Sequence, residues 1–328
     1  MSAVISTLSA PPAPAHAGLW LHCHEDAGSE SDAKQTCEQL LAGEIDVGMR
    51  SAVALLDRLS SAAGVSAAIG AEVTPSLGRL LRVLQQNPLV SWNLAQPYGY
   101  PADPQFMDLA LGLAPLDPKS TALGAAMQGW MLEHSAICSA LHRRRDYLAG
   151  CIDNITSGEA ECRAVSLFGG YAREFDASAR FRAGSVSACL VDFDTRVLAR
   201  AASSAPDHER VGRIQTCQAS LGDLLSGQIR LYDCSLLYVS SLPQFLDPTT
   251  LGQLLQSLVD WLRPGGEIVV AAFESVPEAG FLELAAGWRP NCLSRPELLG
   301  LARDLAGVDA RVHVETEAQL AYLHVRRL

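Results

Sequence analysis

Between residue 31 and about residue 86, apolar positions return every three or four residues. Leu40, Leu41, Ile45, Val47, Met49, Val53, Leu55, Leu56 and Leu59 make one series, and Leu77, Leu80, Leu81 and Leu84 a second, with Gly64 and Gly70 as breakers between them. That period places each series on one face of a helix. From residue 121 to about 155 it predicts one long helix, striped by Met127, Trp130, Met131, Ile137, Leu141, Tyr147, Leu148 and Ile152. After Ala164 the pattern changes to short apolar runs alternating with helical stretches, as in a parallel sheet covered by helices. Strands are predicted at 164–167, 187–191, 213–218, 231–240 and 267–273, and helices at 194–202, after Leu221, at 247–262 and at 296–306. The last two runs, 311–315 and 320–326, are joined by four polar positions, so they pair antiparallel.

Residues 87–107 fit neither period. Four prolines, a glycine and four aromatics argue against a regular helix and for a rigid loop. The expectation is a lid presenting Tyr98, Tyr100 and Asp103 to a ligand, the alternative a loop that only packs two subdomains together. The predicted organisation is therefore a disordered, Ser/Ala/Pro-rich 1–17, a helical domain over 18–155 carrying the aromatic lid, and an α/β domain over 156–328.

Composition narrows the partners. An apolar share of 48% with 19% charged residues describes a globular chain, and a net charge of −11 argues against nucleic acid or an anionic membrane. The one basic run, Arg143-Arg144-Arg145, reads as a solvated helix face. Nine cysteines without a Cys-x-x-Cys pair fit reduced thiols, no apolar run is long enough to span a bilayer, and no signal peptide is recognisable, so the expected location is cytoplasmic. His22-x-His24 lacks a third ligand at convincing spacing, so no metal is expected. A small-molecule substrate is expected, and a homodimer is an open possibility.

Chemistry concentrates between Ala164 and Asp194. An apolar run enters the turn Gly169-Gly170, and a second ends in Asp192 and Asp194. Glycines let a strand turn sharply and approach a ligand, and an acid at the next strand's tip suits a ribose diol. The complete Gly-x-Gly-x-x-Gly of dinucleotide enzymes is absent, which argues against an NAD-linked oxidoreductase.

Leu262-Arg263-Pro264-Gly265-Gly266 before the fifth strand, the run from Asp233 to Ser241 followed by Phe245-Leu246-Asp247, and Val191-Asp192 followed by Leu198 and Ala201 resemble the class I S-adenosylmethionine (SAM)-dependent methyltransferases. Pro97 to Asp103, Arg145, Trp288, Ser294 and Arg295 are similar to marks of a bacterial subgroup that includes hydroxy-fatty-acid methyl ester synthesis proteins. The resemblance implies a Rossmann-like α/β fold: a seven-stranded sheet of parallel strands closed by a C-terminal antiparallel hairpin, with an N-terminal helical extension. It implies SAM as cosubstrate, held by Phe168, Gly169, Gly170, Glu174, Asp192, Phe193, Asp194, Ser220, Leu221 and Ser240.

One departure stands out. Phe168 takes the family's first glycine position in the loop, Gly170 and Ala172 hold the second and third, and Tyr171 replaces a small residue. Phe168 either stabilises a sulfonium through its ring face or only fills core volume. Ser220 falls where an adenine-contacting acid is common. Tyr98, Tyr100, Tyr171 and Tyr238 are the candidate catalytic side chains. The implied activity is methyl transfer to a small molecule that arrives ionised or is easily deprotonated, such as a carboxylate, in bacterial secondary metabolism or signalling. One alternative is intramolecular cyclisation of SAM to azetidine-2-carboxylate and methylthioadenosine. Another is a degenerate SAM-fold scaffold.

Overall fold

The computed structural model describes residues 27–63, 74–155, 162–203 and 214–328. The disorder expected for 1–17, the His22-x-His24 pair and the breakers Gly64 and Gly70 lie outside the described residues. Two compact units emerge: the described part of Met1–Ser139 with Pro277–Arg289, and Ala140–Val276 with Pro290–Leu328. The division falls within a helix, between residues 139 and 140, where the sequence suggested 155/156.

The first unit is helical: α1 (Ala27–Leu41), α2 (Ile45–Ala63), α3 (Pro75–Leu84), α4 (Pro88–Ala95), α5 (Pro104–Ala110), α6 (Ala122–His134), the start of α7 (Ala136–Asp153) and, returning from far along the chain, α13 (Ala279–Leu284). Most of the apolar stripe positions read from the sequence form its core: Leu40, Met49, Leu56 and Leu80 are fully buried, whereas Leu41 and Val47 are exposed. Two expectations are corrected here. Residues 87–107 are mostly helix, because Pro88 and Pro104 occupy first-turn positions where a missing N–H costs nothing. Asn87 and Asp103 accept from the freed amides in front of them. Asp103 also accepts from Trp92 Nε1 at 2.9 Å, so it is a buried helix cap and not a group presented to a ligand. The long helix over 121–155 is two, broken where Ser135 turns extended (ψ 129°). There the Glu278 carboxylate accepts from the Ser135 hydroxyl and the Ala136 amide, capping α7.

The second unit contains the rest of α7 and a seven-stranded sheet: β1 (Arg163–Leu167), β2 (Ser187–Asp192), β3 (Ile214–Gln218), β4 (Cys234–Val239), β5 (Leu262–Phe273), β6 (Val308–Glu315) and β7 (Leu320–Arg327). Its helices are α8 (Arg173–Ala177), α9 (Ala179–Arg182), α10 (Thr195–Ser203), α11 (Leu221–Leu225), α12 (Pro248–Val259) and α14 (Arg295–Leu301). The strand order is β3-β2-β1-β4-β5-β7-β6, with β7 antiparallel to both neighbours. The expected Rossmann-like sheet with its antiparallel C-terminal pair is what the chain forms. Every residue of β4 is buried, as befits a parallel strand covered on both faces. Leu251, Leu254, Leu255 and Leu258 of α12 are all but inaccessible, and burying each contributes roughly 1.5–3 kcal/mol to holding that helix on the sheet. The Pro-Gly-Gly motif lies inside β5 beside a register shift opposite Cys234 and Leu236. A side chain on Gly266 would start 2.6 Å from the Cys234 carbonyl, which explains glycine there.

Candidate functional site

The chain runs outward from β1 through β2 to β3, then returns to the other side of β1 for β4. At such a reversal the loops leaving the strand ends part, and ligands of open α/β sheets bind in that crevice. Four segments of the second unit meet this edge: 168–172, 193–194, 219–221 and 240–244.

The first loop keeps a glycine-type backbone. Phe168, Gly170 and Ala172 have φ of 52°, 60° and 50°, three left-handed residues in five. For residues with a Cβ that conformation costs roughly 1–2 kcal/mol each, so surrounding contacts must hold it. The Phe168 amide donates to the Val191 carbonyl at 2.8 Å, and its ring packs in the sheet's hydrophobic cluster, 6.2 Å from Phe193. Phe168 therefore fills core volume. Gly169 follows for a different reason: a Cβ there would lie 2.1 Å from Ser166 Oγ. That Oγ is itself buried with no hydrogen-bond partner among the described residues. Tyr171 is buried, and the Arg173 guanidinium lies 5.4 Å from its ring centroid.

Across the edge, Asp192 ends β2 with 3% of its surface exposed. Desolvation pushes its carboxyl up to about 7, although the Asp194 and Phe193 amides oppose the rise. Asp194 is held differently. Arg196 grips both of its oxygens, and that pairing overcomes burial to keep its pKa below the usual range. The two neighbouring acids thus divide the work: Asp194 pairs locally, and Asp192 is a desolvated acceptor.

Behind the loop sits a buried polar group that the sequence hid. Arg144 of α7 is 3% exposed and donates to the Ser240 carbonyl at 3.0 Å, an oxygen that also accepts from Gln244 Nε2. Burial lowers the pKa of this guanidinium, and the negative charge of Glu174 counters it. Glu174, in the first turn of α8, accepts from the Tyr238 hydroxyl at 3.5 Å. The expectation of a solvated Arg143-Arg144-Arg145 face is corrected for its middle member. Arg144 lies three residues from Leu141 and seven from Ile137, on the apolar stripe itself, and that spacing was the available signal. Ser166 carried no such signal.

The structure groups Phe168, Gly169, Gly170, Tyr171, Glu174, Asp192, Phe193, Asp194, Ser220, Leu221, Tyr238 and Ser240 within the second unit. Tyr98 and Tyr100, both half-buried, belong to the first. Tyr238 is fully buried with its hydroxyl on Glu174, so it positions that carboxylate and is not a catalytic base at a surface. Ser220 caps α11: its hydroxyl donates to Asp223 and accepts from the Asp223 amide, while its own amide donates to Asp223 Oδ2 and its carbonyl accepts from the Leu224 amide. No group of three or more potential metal-ligating side chains occurs among the described residues.

No protein-family model matches the chain, and no curated protein matches it. Among solved structures it is similar to a possible exported protein from Bordetella parapertussis, at 16% identity and a TM-score of 0.60, over 93% of this chain and 99% of that one. It is also similar to magnesium protoporphyrin IX methyltransferase from Synechocystis PCC 6803 with bound SAH, at 10% identity and a TM-score of 0.48, over 67% and 92%. An O-methyltransferase family 2 protein from Planctomyces limnophilus in complex with apigenin matches at 13% identity and 0.44, over 94% and 98%. At these identities the first likeness establishes a shared fold and leaves the chemistry to the site.

Proposed function

We propose that the second unit binds SAM at the C-terminal ends of β1, β2 and β4, and that the protein is a SAM-dependent methyltransferase acting on a small molecule. One observation carries this reading: a loop with three left-handed residues, a glycine that admits no side chain and an orphaned buried hydroxyl faces the same sheet edge as a desolvated acid. Each of these fits SAM. Asp192 would accept from the ribose hydroxyls, the 168–172 backbone would lie along the methionine portion, and the backbone at Leu221 would meet the adenine.

SAM supplies a methyl group on a sulfonium, which an acceptor displaces in line to leave S-adenosylhomocysteine. The chain's own contribution is positioning and exclusion of water. Tyr171 and Tyr238 are 4% and 0% exposed, so neither offers an accessible phenol as a base. That favours an acceptor whose oxygen is already ionised, such as a carboxylate, which has no proton to lose. Eight described cysteines are free thiols, which suits a reducing, cytoplasmic setting. No described helix is long and apolar enough to cross a membrane.

The same burial supports a second reading. With Tyr171 and Tyr238 both buried, SAM could serve as its own acceptor: its neutral amine attacks its γ-carbon, methylthioadenosine leaves, and one proton is released with azetidine-2-carboxylate. Products of SAM incubated alone and with small carboxylates decide between the two. Carboxylate-dependent S-adenosylhomocysteine supports methyl transfer, methylthioadenosine from SAM alone supports cyclisation, and turnover of neither kind removes both.

A further inference from the structure

At the opposite edge of the second unit's sheet lies a cavity of about 490 Å³, walled by α7 and by strands β4 to β7. Ser235 lines it five residues before Ser240, so it sits roughly 16 Å down β4 from the site described above. Its volume is that of a small-molecule site, about 300–1,000 Å³.

The floor is a built polar chain. His324 is 5% exposed; its Nε2 lies 2.7 Å from the Tyr147 hydroxyl and its Nδ1 3.0 Å from Glu267 Oε1. Tyr147 stacks on Tyr322, with centroids 3.7 Å apart, which fixes the phenol in place. Burial raises the Tyr147 pKa, so its hydroxyl stays protonated. Burial also disfavours the Glu267 charge, but the His324 hydrogen bond, Arg311 and Arg326 overcome it, so that carboxylate is ionised. Arg311 Nη2 lies 3.6 Å from it.

The rim is cationic. Arg263, Arg311 and Arg326 line the cavity against only two carboxylates, Glu267 and Asp309, in a chain whose net charge is −11. Arg311 pairs with His324 across β6 and β7, which puts Arg326 at the diagonal position on the same face, about 7 Å away. Two forked guanidiniums at that spacing match the oxygens of a carboxylate or phosphate. Cys151 also lines the cavity, but burial pushes its thiol up to about 12, which removes it as a nucleophile and leaves binding as the chemistry.

We propose that this cavity is a second ligand site, taking a small organic anion whose charged group lies between Arg311 and Arg326 and whose body faces the Tyr147–His324 floor. The site stands on its own residues and is independent of the SAM reading. Its test is calorimetric titration of the full chain with inorganic phosphate and, separately, citrate, at constant ionic strength. The expected result is saturable binding of at least one probe at a single site, with the stronger probe telling phosphate from carboxylate. Arg311→Gln and Arg326→Gln should each weaken it by about tenfold or more. Both arginines are exposed, so the variants should melt with the wild type, and the His324 ring resonances should shift on titration. Failure of both probes to saturate at millimolar concentration, or binding that survives both substitutions unchanged, overturns the proposal.

Discussion

Ser166 Oγ stands where a side chain on Gly169 would begin, 2.1 Å from the ideal Cβ position, while the next nearest atoms are 3.5 and 3.8 Å away. Ser166 alone therefore bars a side chain at Gly169. Gly169→Ala should lower stability by roughly 1–3 kcal/mol. Adding Ser166→Ala should recover at least half of that loss. Urea denaturation of the four members of the cycle measures the coupling. Equal costs of Gly169→Ala in both backgrounds would mean that another contact is responsible.

Phe168 sets two opposing terms against each other. Its left-handed backbone costs roughly 1–2 kcal/mol, which glycine would relieve, while loss of a buried phenylalanine side chain costs about 3–5 kcal/mol. Burial wins, so Phe168→Gly should be destabilised by about 2–3 kcal/mol despite restoring the residue expected there. A variant as stable as the wild type would show that the ring contributes little to the core.

Asp192 gives a pH dependence of definite sign. Between 3.8 and about 7 the folded protein holds a proton on Asp192 that the unfolded chain has lost, so stability falls as the pH rises through that window and then levels off. Asp192→Asn removes this slope and should be the more stable protein at pH 8, by up to about 4 kcal/mol. A ribose diol donates best to the ionised carboxylate, so SAM affinity of the wild type should increase as the pH rises through about 7. Melting curves from pH 4 to 9, with and without SAM, read both effects. Identical profiles for wild type and Asp192→Asn would refute the assignment.

Arg144 carries a buried charge that a substitution cannot leave half paired. Removing it takes away the countercharge of the buried Glu174 carboxylate, itself 7% exposed, so Arg144→Ala should cost about 3–5 kcal/mol. Arg144→Ala combined with Glu174→Gln should be less destabilised than the single arginine variant. A double variant that merely adds the two losses would indicate that the residues act separately.

What the sequence made legible followed from periodicity. The central strands read as apolar runs because both faces are covered, and the β6–β7 pair read as alternation because one face of β6 is open. What it obscured depended on context. Pro88 and Pro104 looked like helix breakers, yet each starts a helix behind an Asn or Asp cap. Ser135 gave no sign that it would divide α6 from α7, since the capping carboxylate comes from Glu278, far along the chain. Around the candidate site, residue types singled out the loop and the acids as candidates, and the fold places them in one unit. Arg144 was signalled by its place on the apolar stripe, whereas the buried roles of Ser166 and Tyr238 required tertiary packing to appear.

The central claim is that this sheet edge binds SAM through Asp192. Calorimetric titration of SAM into wild type and Asp192→Asn at pH 8 tests it most directly. The prediction is saturable binding of one SAM by the wild type, weakened about ten- to a hundredfold in the variant, as loss of hydrogen bonds to a charged acceptor would give. Absence of SAM binding to the wild type, or equal affinity in both proteins, would contradict it.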